Sequence, residues 1–243
     1  MKNYLLKGKK VLVTAGPTRE PLDPVRYISN QTGGKLGFDI AAAMLQQGAS
    51  VFLISGPVKV DLNHPDLTVV KVNTAYEMYM ACCRFFEDAD IVVFAAAVSD
   101  YRPKEMFCKK IEHNEEVFTI KMVRNIDIAA AFANVKGRQL TVGVTADEGD
   151  NVQKAMSKMD RKNLDLIILN TVSSEAGGYN FDLQNVSIIR SDYSVQPFSS
   201  LKSKAEKIRD IIDTIAFAYQ EKQETVLQLH PENKQPMSSS LIA

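Results

Sequence analysis

Residues 91–98 are apolar at every position, and this run constrains the fold more than any other feature of the chain. It is far too short to cross a bilayer, which takes about 20 residues. It is also too apolar for a strand with one wet face. The strand expected over residues 89–97 therefore belongs in the middle of a parallel sheet covered on both sides. The rest of the chain supplies the partners. Residues 10–14, 50–55, 67–72, 140–146 and 164–170 read as further strands, and residues 38–47, 74–86 and 151–162 as helices. Ile40, Ala41, Met44 and Leu45 line one helix face, and Thr74 with Glu77 forms a capping-box pattern. Alternating strands and helices predict a Rossmann-like three-layer α/β/α fold with a mostly parallel central sheet.

Two segments break the rhythm. Residues 103–122 mix charge with a short β-like stretch at 117–120 and read as a flap or inserted hairpin. Residues 177–189 read as a loop leading into a late strand, followed by a last amphipathic helix over roughly residues 201–220. With no internal repeat and no Pro- or Gly-rich linker, residues 1–223 are expected to form one domain, and the polar, Ser-rich residues 224–243 a poorly ordered tail.

Charge narrows the function. Lys plus Arg and Asp plus Glu both number 29, so the formal net charge is zero. That argues against a broad grip on nucleic acid or anionic lipid and leaves room for a local basic pocket. The three cysteines, two of them adjacent (Cys82, Cys83), form neither a disulfide framework nor a Cys-x-x-Cys site. No secretory leader pattern stands at Met1, so a reducing cytoplasm is the expected setting. His64, His113 and His230 show no metal-ligand spacing, and no protein metal site is expected. Cys108 reads as a bland thiol, and Met78, Cys82 and Phe85 as core.

In a doubly wound sheet, ligands bind beyond the carboxyl ends of the strands. The first βα turn, residues 15–34, is about 20 residues long where about 2–6 is usual. It holds Pro17, Pro21 and Pro24 and ends in Asn30-Gln31-Thr32-Gly33-Gly34-Lys35-Leu36-Gly37 ahead of a helix. Glycines that turn amides toward a ligand, a helix N-terminus, a hydroxyl and a cation describe a phosphate cradle. The same residues also suit a helix start that merely packs closely. The turn is neither a dinucleotide fingerprint nor a P-loop. Gly16 is followed by a long insertion, the second strand ends at Ser55-Gly56-Pro57 without a ribose-binding acid, and Gly34-Lys35 lacks the Walker spacing. An NAD(P)-linked reductase is thereby disfavoured.

The chain resembles phosphopantothenate–cysteine ligase (phosphopantothenoylcysteine synthetase) of coenzyme A biosynthesis over about residues 9–212. The resemblance is carried by Val13-Thr14-Ala15-Gly16-Pro17-Thr18-Arg19-Glu20, by Asp23-Pro24-Val25-Arg26-Tyr27-Ile28-Ser29-Asn30, and by Thr32 to Gly37. It continues in Ala95-Ala96-Ala97-Val98-Ser99-Asp100-Tyr101-Arg102-Pro103 and in Lys158-x-x-x-Lys162-Asn163-Leu164-Asp165. It implies a ligase that activates 4′-phosphopantothenate with CTP, or ATP, as an acyl-nucleotide. L-cysteine then attacks the acyl carbon, and Mg2+ is the expected ion. It also implies a homodimer in which a flap reaches the partner's site. Because no flavin-dependent decarboxylase half stands in the sequence, a stand-alone or excised ligase domain is expected, with that decarboxylase a possible separate partner.

The resemblance implies these roles. Asn30 contacts the reacting acyl group, and its amide can donate to a developing oxyanion. Lys110 on the flap binds nucleotide and supports turnover. Arg26, Ala96, Ala97 and Asp100 bind substrate. Gly16, Thr32, Gly34 and Gly37 cradle the triphosphate, and Asp100, Val144, Lys158 and Lys162 complete the nucleotide site. Asn125 and Asp127 fall on an Asn-Pro-Asp segment of the family, with Ile126 replacing the proline. Plain structural readings compete: an Asx-turn for Asn30, a surface ion pair for Arg26, helix caps for Asn125 and Asp127, and a solvated face for Lys158 and Lys162. The chain departs from the family at several points. Its flap reads Lys110-Ile111-Glu112-His113 in one register and Phe107-Cys108-Lys109-Lys110 in the other, so a Lys-x-Lys-Lys motif is incomplete either way. Gly33 replaces a serine, Val144 stands where an aromatic stacks on the base, and Asp147 is shorter than the usual glutamate. These departures leave a non-catalytic nucleotide- or phosphopantothenate-binding relative as the alternative.

Overall fold

The computed structural model describes residues 4–112, 116–148, 151–172, 174–175, 178–179, 183 and 185–229. His113 and His230 lie outside these residues, as does most of the expected tail. In chain order the first half carries β1 (Lys10–Ala15), β2 (Arg19–Pro21), β3 (Tyr27–Ser29), α1 (Lys35–Gln46), β4 (Ser50–Ser55), β5 (Leu67–Lys71), α2 (Ala75–Cys83), β6 (Ile91–Phe94), β7 (Tyr101–Pro103) and β8 (Met122–Arg124). The second half carries α3 (Ile128–Ala133), β9 (Leu140–Glu148), α4 (Val152–Lys162), β10 (Leu166–Val172), β11 (Ser174–Glu175), β12 (Gly178–Tyr179), β13 (Asn185–Arg190), β14 (Val195–Pro197) and α5 (Lys204–Leu229).

Eight strands form one sheet in the order β14-β13-β10-β9-β6-β1-β4-β5. The six from β10 to β5 run parallel, and β13 and β14 add an antiparallel edge. The mostly parallel α/β fold expected from the sequence is the one observed. The reason is visible in β6: Ile91, Val92 and Val93 are completely buried. Val93 packs with α1 and α5 on one face, and Val92 with α2, α3 and α4 on the other. Burial of one such side chain is worth about 1.5–3 kcal/mol, which is why a run apolar at both parities seeks the centre. No helix among the described residues is long and apolar enough to cross a membrane.

Several boundaries move. The central strand keeps its ladder only to Phe94, and the alanines beyond it leave the regular pairing. Helix α1 starts at Lys35, earlier than expected, with Gly34 as its N-cap in the left-handed conformation (φ 68°) that glycine adopts without strain. The capping box at α2 forms with a shift. Thr74 Oγ1 accepts from the Glu77 N–H at 3.1 Å, but Glu77 Oε2 accepts from the Asn73 N–H at 2.7 Å. Helix α5 continues through Leu229, so the start of the polar segment is helical. The flap is a hairpin at its base, where β7 pairs with β8, while the β-like stretch at 117–120 joins no strand ladder among the described residues. The long first turn contains a hairpin of its own, β2 against β3.

Candidate functional site

The strand order reverses between β1 and β6, and the crevice beyond their carboxyl ends is the switch point of the sheet. Here Pro17 forms a bridge with Ala97. The glycines of the first turn have a packing role. A Cβ on Gly34 would lie 2.6 Å from the Gly16 Cα, and one on Gly37 would lie 2.6 Å from the Ala15 Cβ. They let the exit of β1 and the first turn of α1 meet backbone on backbone. A Cβ on Gly33 meets nothing within 4 Å, so there a serine fits equally well. Gly34 brings no capping side chain to α1, and Thr32 Oγ1 accepts from its N–H at 3.3 Å.

Two concavities flank the crevice. The first, about 300 Å³, is lined by Ala96, Asp100, Val144, Lys158 and Lys162, together with Asn125 and Asp127. The second, about 390 Å³, is lined by Asn30, Thr32, Gly33, Arg19 and Tyr27. Asn30 bridges them. Its Nδ2 donates to the Ala97 carbonyl at 3.0 Å and the Val98 carbonyl at 3.2 Å, so the N–H groups expected to serve an oxyanion are held by the wall of the crevice. The structure thus gathers Ala96, Asp100, Val144, Lys158 and Lys162 in one cavity and Asn30 and Thr32 in the next. Gly37 is buried behind Ala15, and Lys110 is exposed on the flap away from both.

The first cavity is basic although the chain is neutral. Arg124, Lys158, Arg161 and Lys162 face it against Asp100 and Asp127. Arg124 and Arg161 were not singled out from the sequence, but the spacing of Lys158, Arg161 and Lys162 already places all three on one face of α4. The lysines are positioned by partners. Lys158 Nζ donates to Thr145 Oγ1 at 2.7 Å and to Asp147 at 3.4 Å, and Lys162 Nζ donates to Asp127 at 2.9 Å. Burial raises the Asp147 carboxyl, but Lys154 and Lys158 outweigh it and hold it below the usual carboxylate range. Asp127 caps α3 by accepting from the Ala130 N–H. Asn125 donates to the Ser99 carbonyl at 2.8 Å and accepts from Arg102, tying the flap's return strand to the loop after β6.

Ser99 itself is buried, and its Oγ has no hydrogen-bond partner among the described residues. Ser99→Ala removes a desolvated, unpaired hydroxyl and is expected to leave stability unchanged or raise it by about 1 kcal/mol, read by urea unfolding. A loss of stability would mean that the hydroxyl has a partner.

Arg26 sits apart from both cavities. Its guanidinium donates to Asp23 Oδ2 at 3.0 Å and to the Ile111 carbonyl at 3.2 Å.

The whole frame has known counterparts. A family model described as the DNA/pantothenate metabolism flavoprotein C-terminal domain matches residues 6–218. The chain is 45% identical over 181 residues to the coenzyme A biosynthesis bifunctional protein CoaBC of Escherichia coli (strain K12), a match covering 73% of this chain and 44% of that protein. It is 38% identical over 211 residues to a cysteine/cysteine sulfinic acid decarboxylase of an unknown prokaryotic organism, covering 86% of this chain and 58% of that protein. The chain therefore spans about half the length of the curated relatives it matches. The crystal structure of the C-terminal domain of CoaBC superposes with a TM-score of 0.75 at 32% identity, covering 90% of this chain and 99% of that one.

Proposed function

This chain belongs to the family of the DNA/pantothenate metabolism flavoprotein C-terminal domain, and from that membership we propose that it joins 4′-phosphopantothenate to L-cysteine through an acyl-nucleotide. A carboxylate oxygen of phosphopantothenate attacks the α-phosphorus of CTP, or ATP, and the bond to the bridging oxygen breaks, releasing pyrophosphate. The cysteine amine then attacks the acyl carbon, the acyl C–O bond breaks, and the nucleoside monophosphate leaves as the amine loses a proton. The observation that carries this reading is the basic cavity at the switch point, with Asn30 fixed at its edge. Lys158, Arg161 and Lys162 suit a polyphosphate, and Asn30, which lines the second concavity and bonds to the wall shared with the first, suits the reacting acyl group.

Magnesium fits this site as a companion of the nucleotide. The described residues hold no cluster of three His, Cys, Asp or Glu, but a triphosphate-bound Mg2+ needs only one or two carboxylates. Asp100, exposed at the cavity wall, is the group placed to hold it. The ion would supply charge neutralisation on the triphosphate.

We also propose a homodimer. Val25, Tyr27, Tyr101, Met106, Phe107, Val117 and Phe118 leave the flap and first-turn hairpin with an exposed apolar surface. A second copy covering it would bring each flap, with Lys110, to its neighbour's crevice. A separate flavin-dependent decarboxylase is a further proposed partner. Nucleic acid and membrane are not.

Pyrophosphate release is expected only when phosphopantothenate, Mg2+ and a triphosphate are present together, and amide product only when cysteine is added. Comparing CTP, ATP, GTP and UTP identifies the nucleotide. If both half-reactions fail while ligands still bind, the chain is the non-catalytic binder that its incomplete flap lysine motif also allows.

A further inference from the structure

The charges that line the first cavity are not equally occupied. They are Arg124, Lys158, Arg161 and Lys162 against Asp100 and Asp127. Lys162 is taken by Asp127 at 2.9 Å, and Lys158 by Thr145 at 2.7 Å and Asp147 at 3.4 Å. Among the described residues, neither the Arg124 nor the Arg161 guanidinium has a hydrogen bond or an ion pair, and the Asp100 carboxylate has none either. Two positive charges and one negative charge are thus left for whatever enters. That is the complement of a polyphosphate that carries its own divalent cation.

The two arginines stand on separate elements. Arg124 ends β8, the return strand of the flap. Its backbone is held by pairing with Tyr101, by the Arg102 guanidinium, which donates to its carbonyl at 3.0 Å, and by the next N–H, which Asn125 donates to the Asp100 carbonyl at 2.8 Å. Arg161 lies in the last turn of α4. Its acidic neighbour Asp160 is engaged elsewhere, accepting from the Tyr193 hydroxyl at 3.1 Å. We infer that Arg124 and Arg161 form a phosphate clamp that joins the return strand of the flap to α4 when a polyphosphate binds. A paired lysine must give up its carboxylate to reach a phosphate, whereas an unpaired guanidinium gives up only water. Its planar fork also takes two phosphate oxygens at once. The clamp adds to Lys158 and Lys162 and does not replace them. That the phosphates are those of the nucleotide rests on the ligase reading, whereas the clamp itself needs only phosphate chemistry.

The test measures binding to the full chain by calorimetry, with Mg2+ present and inorganic pyrophosphate as the probe. Arg124→Gln and Arg161→Gln are each expected to weaken pyrophosphate by about 10- to 100-fold. Arg84→Gln removes the same charge from the exposed end of α2 and is expected to stay within about twofold, so that the loss reports position and not net charge. Pyrophosphate is also expected to slow amide exchange at Asn125 at least about fivefold in the parent and to leave it unchanged in Arg161→Gln, because the clamp spans both elements. Undiminished affinity in both cavity variants overturns the clamp, as does an equal loss in Arg84→Gln or a parent chain that binds no pyrophosphate at millimolar concentration. Titrations with CTP, ATP and 4′-phosphopantothenate separate the sources of phosphate. Weakened nucleotide with phosphopantothenate held within about twofold supports the nucleotide in the clamp, and the reverse pattern overturns that assignment. A chain that binds pyrophosphate through both arginines yet turns nothing over fails as a ligase and keeps the clamp.

Discussion

Asn30→Ala is expected to lower turnover in the cysteine ligation by about 100- to 1000-fold, the loss typical when one preorganised polar group leaves a reacting centre. The unfolding midpoint should move only slightly, because Asn30 is exposed and water can replace both of its hydrogen bonds to the wall. The size of the effect follows from two jobs done by one amide. Carbonyl oxygens only accept, so Nδ2 must face Ala97 and Val98, and both its hydrogens are used there. Among the described residues nothing donates to Oδ1, which leaves it as the atom that can take an N–H from an incoming amine. Alanine removes the grip on the crevice wall and the acceptor together. Asn30→Asp separates the two jobs. It keeps an acceptor but sets a carboxylate oxygen against two carbonyls, so the wall moves and the loss should match alanine's. If the aspartate variant retained most of its turnover, the grip on Ala97 and Val98 would be irrelevant to reaction. If the alanine variant stayed within about tenfold of the parent, Asn30 would not belong to the reacting centre at all.

The frame was legible because it is written in periodicity. A strand apolar at both parities can only be central, and the capped helices around it leave few topologies. The site was legible where side chains on one helix share a face, as Lys158 and Lys162 do. It was illegible where the chain folds back on itself over long separations. Nothing local in Asp23-Pro24-Val25-Arg26 announces that its ion pair will meet the backbone of Ile111. The string Lys158 to Asp165 shows the same mixture within eight positions. Lys158 and Lys162 face the cavity. Asn163 takes the left-handed conformation (φ 56°) that ends α4, and Leu164 fills the space that the missing side chain of Gly143 leaves. Asp165 turns to the opposite end of the sheet. One motif thus carries two cavity-facing cations, a turn, a packing contact and an ion pair. Sequence spacing distinguishes only the first of these.

That ion pair supports the largest stability effect expected of a single substitution here. Asp165 accepts from the Thr141 N–H at 2.8 Å and the Thr141 hydroxyl at 2.9 Å. It also accepts from Lys136 at 2.9 Å and from Lys222 at 2.9 and 3.0 Å. The side chains of Lys136, Asp165 and Lys222 are only 14%, 19% and 19% exposed. The cluster joins the loop before β9, the start of β10 and α5 at the amino edge of the sheet. Asp165→Asn keeps the shape, removes the charge and leaves two half-buried ammonium groups facing an amide. It should cost about 3–5 kcal/mol at neutral pH, as breaking a buried pair from one side does. The pH dependence fixes the cause. Burial raises the Asp165 carboxyl, but Lys222, the Thr141 N–H and Lys136 overcome that and hold it below its usual value. A depressed carboxylate stabilises the fold above its unfolded pKa of about 3.9 and loses that contribution as pH falls through the folded value. The gap between parent and Asp165→Asn, measured by urea unfolding, should therefore be full at neutral pH and shrink steadily in acid. Lys222 adds to the cost in the variant rather than to its acid dependence, because burial holds its ammonium below the usual lysine range and Asp165 is the group that offsets this. A gap that stayed constant between about pH 7 and pH 3 would place the loss in packing around residue 165 and remove the ion pair as its source.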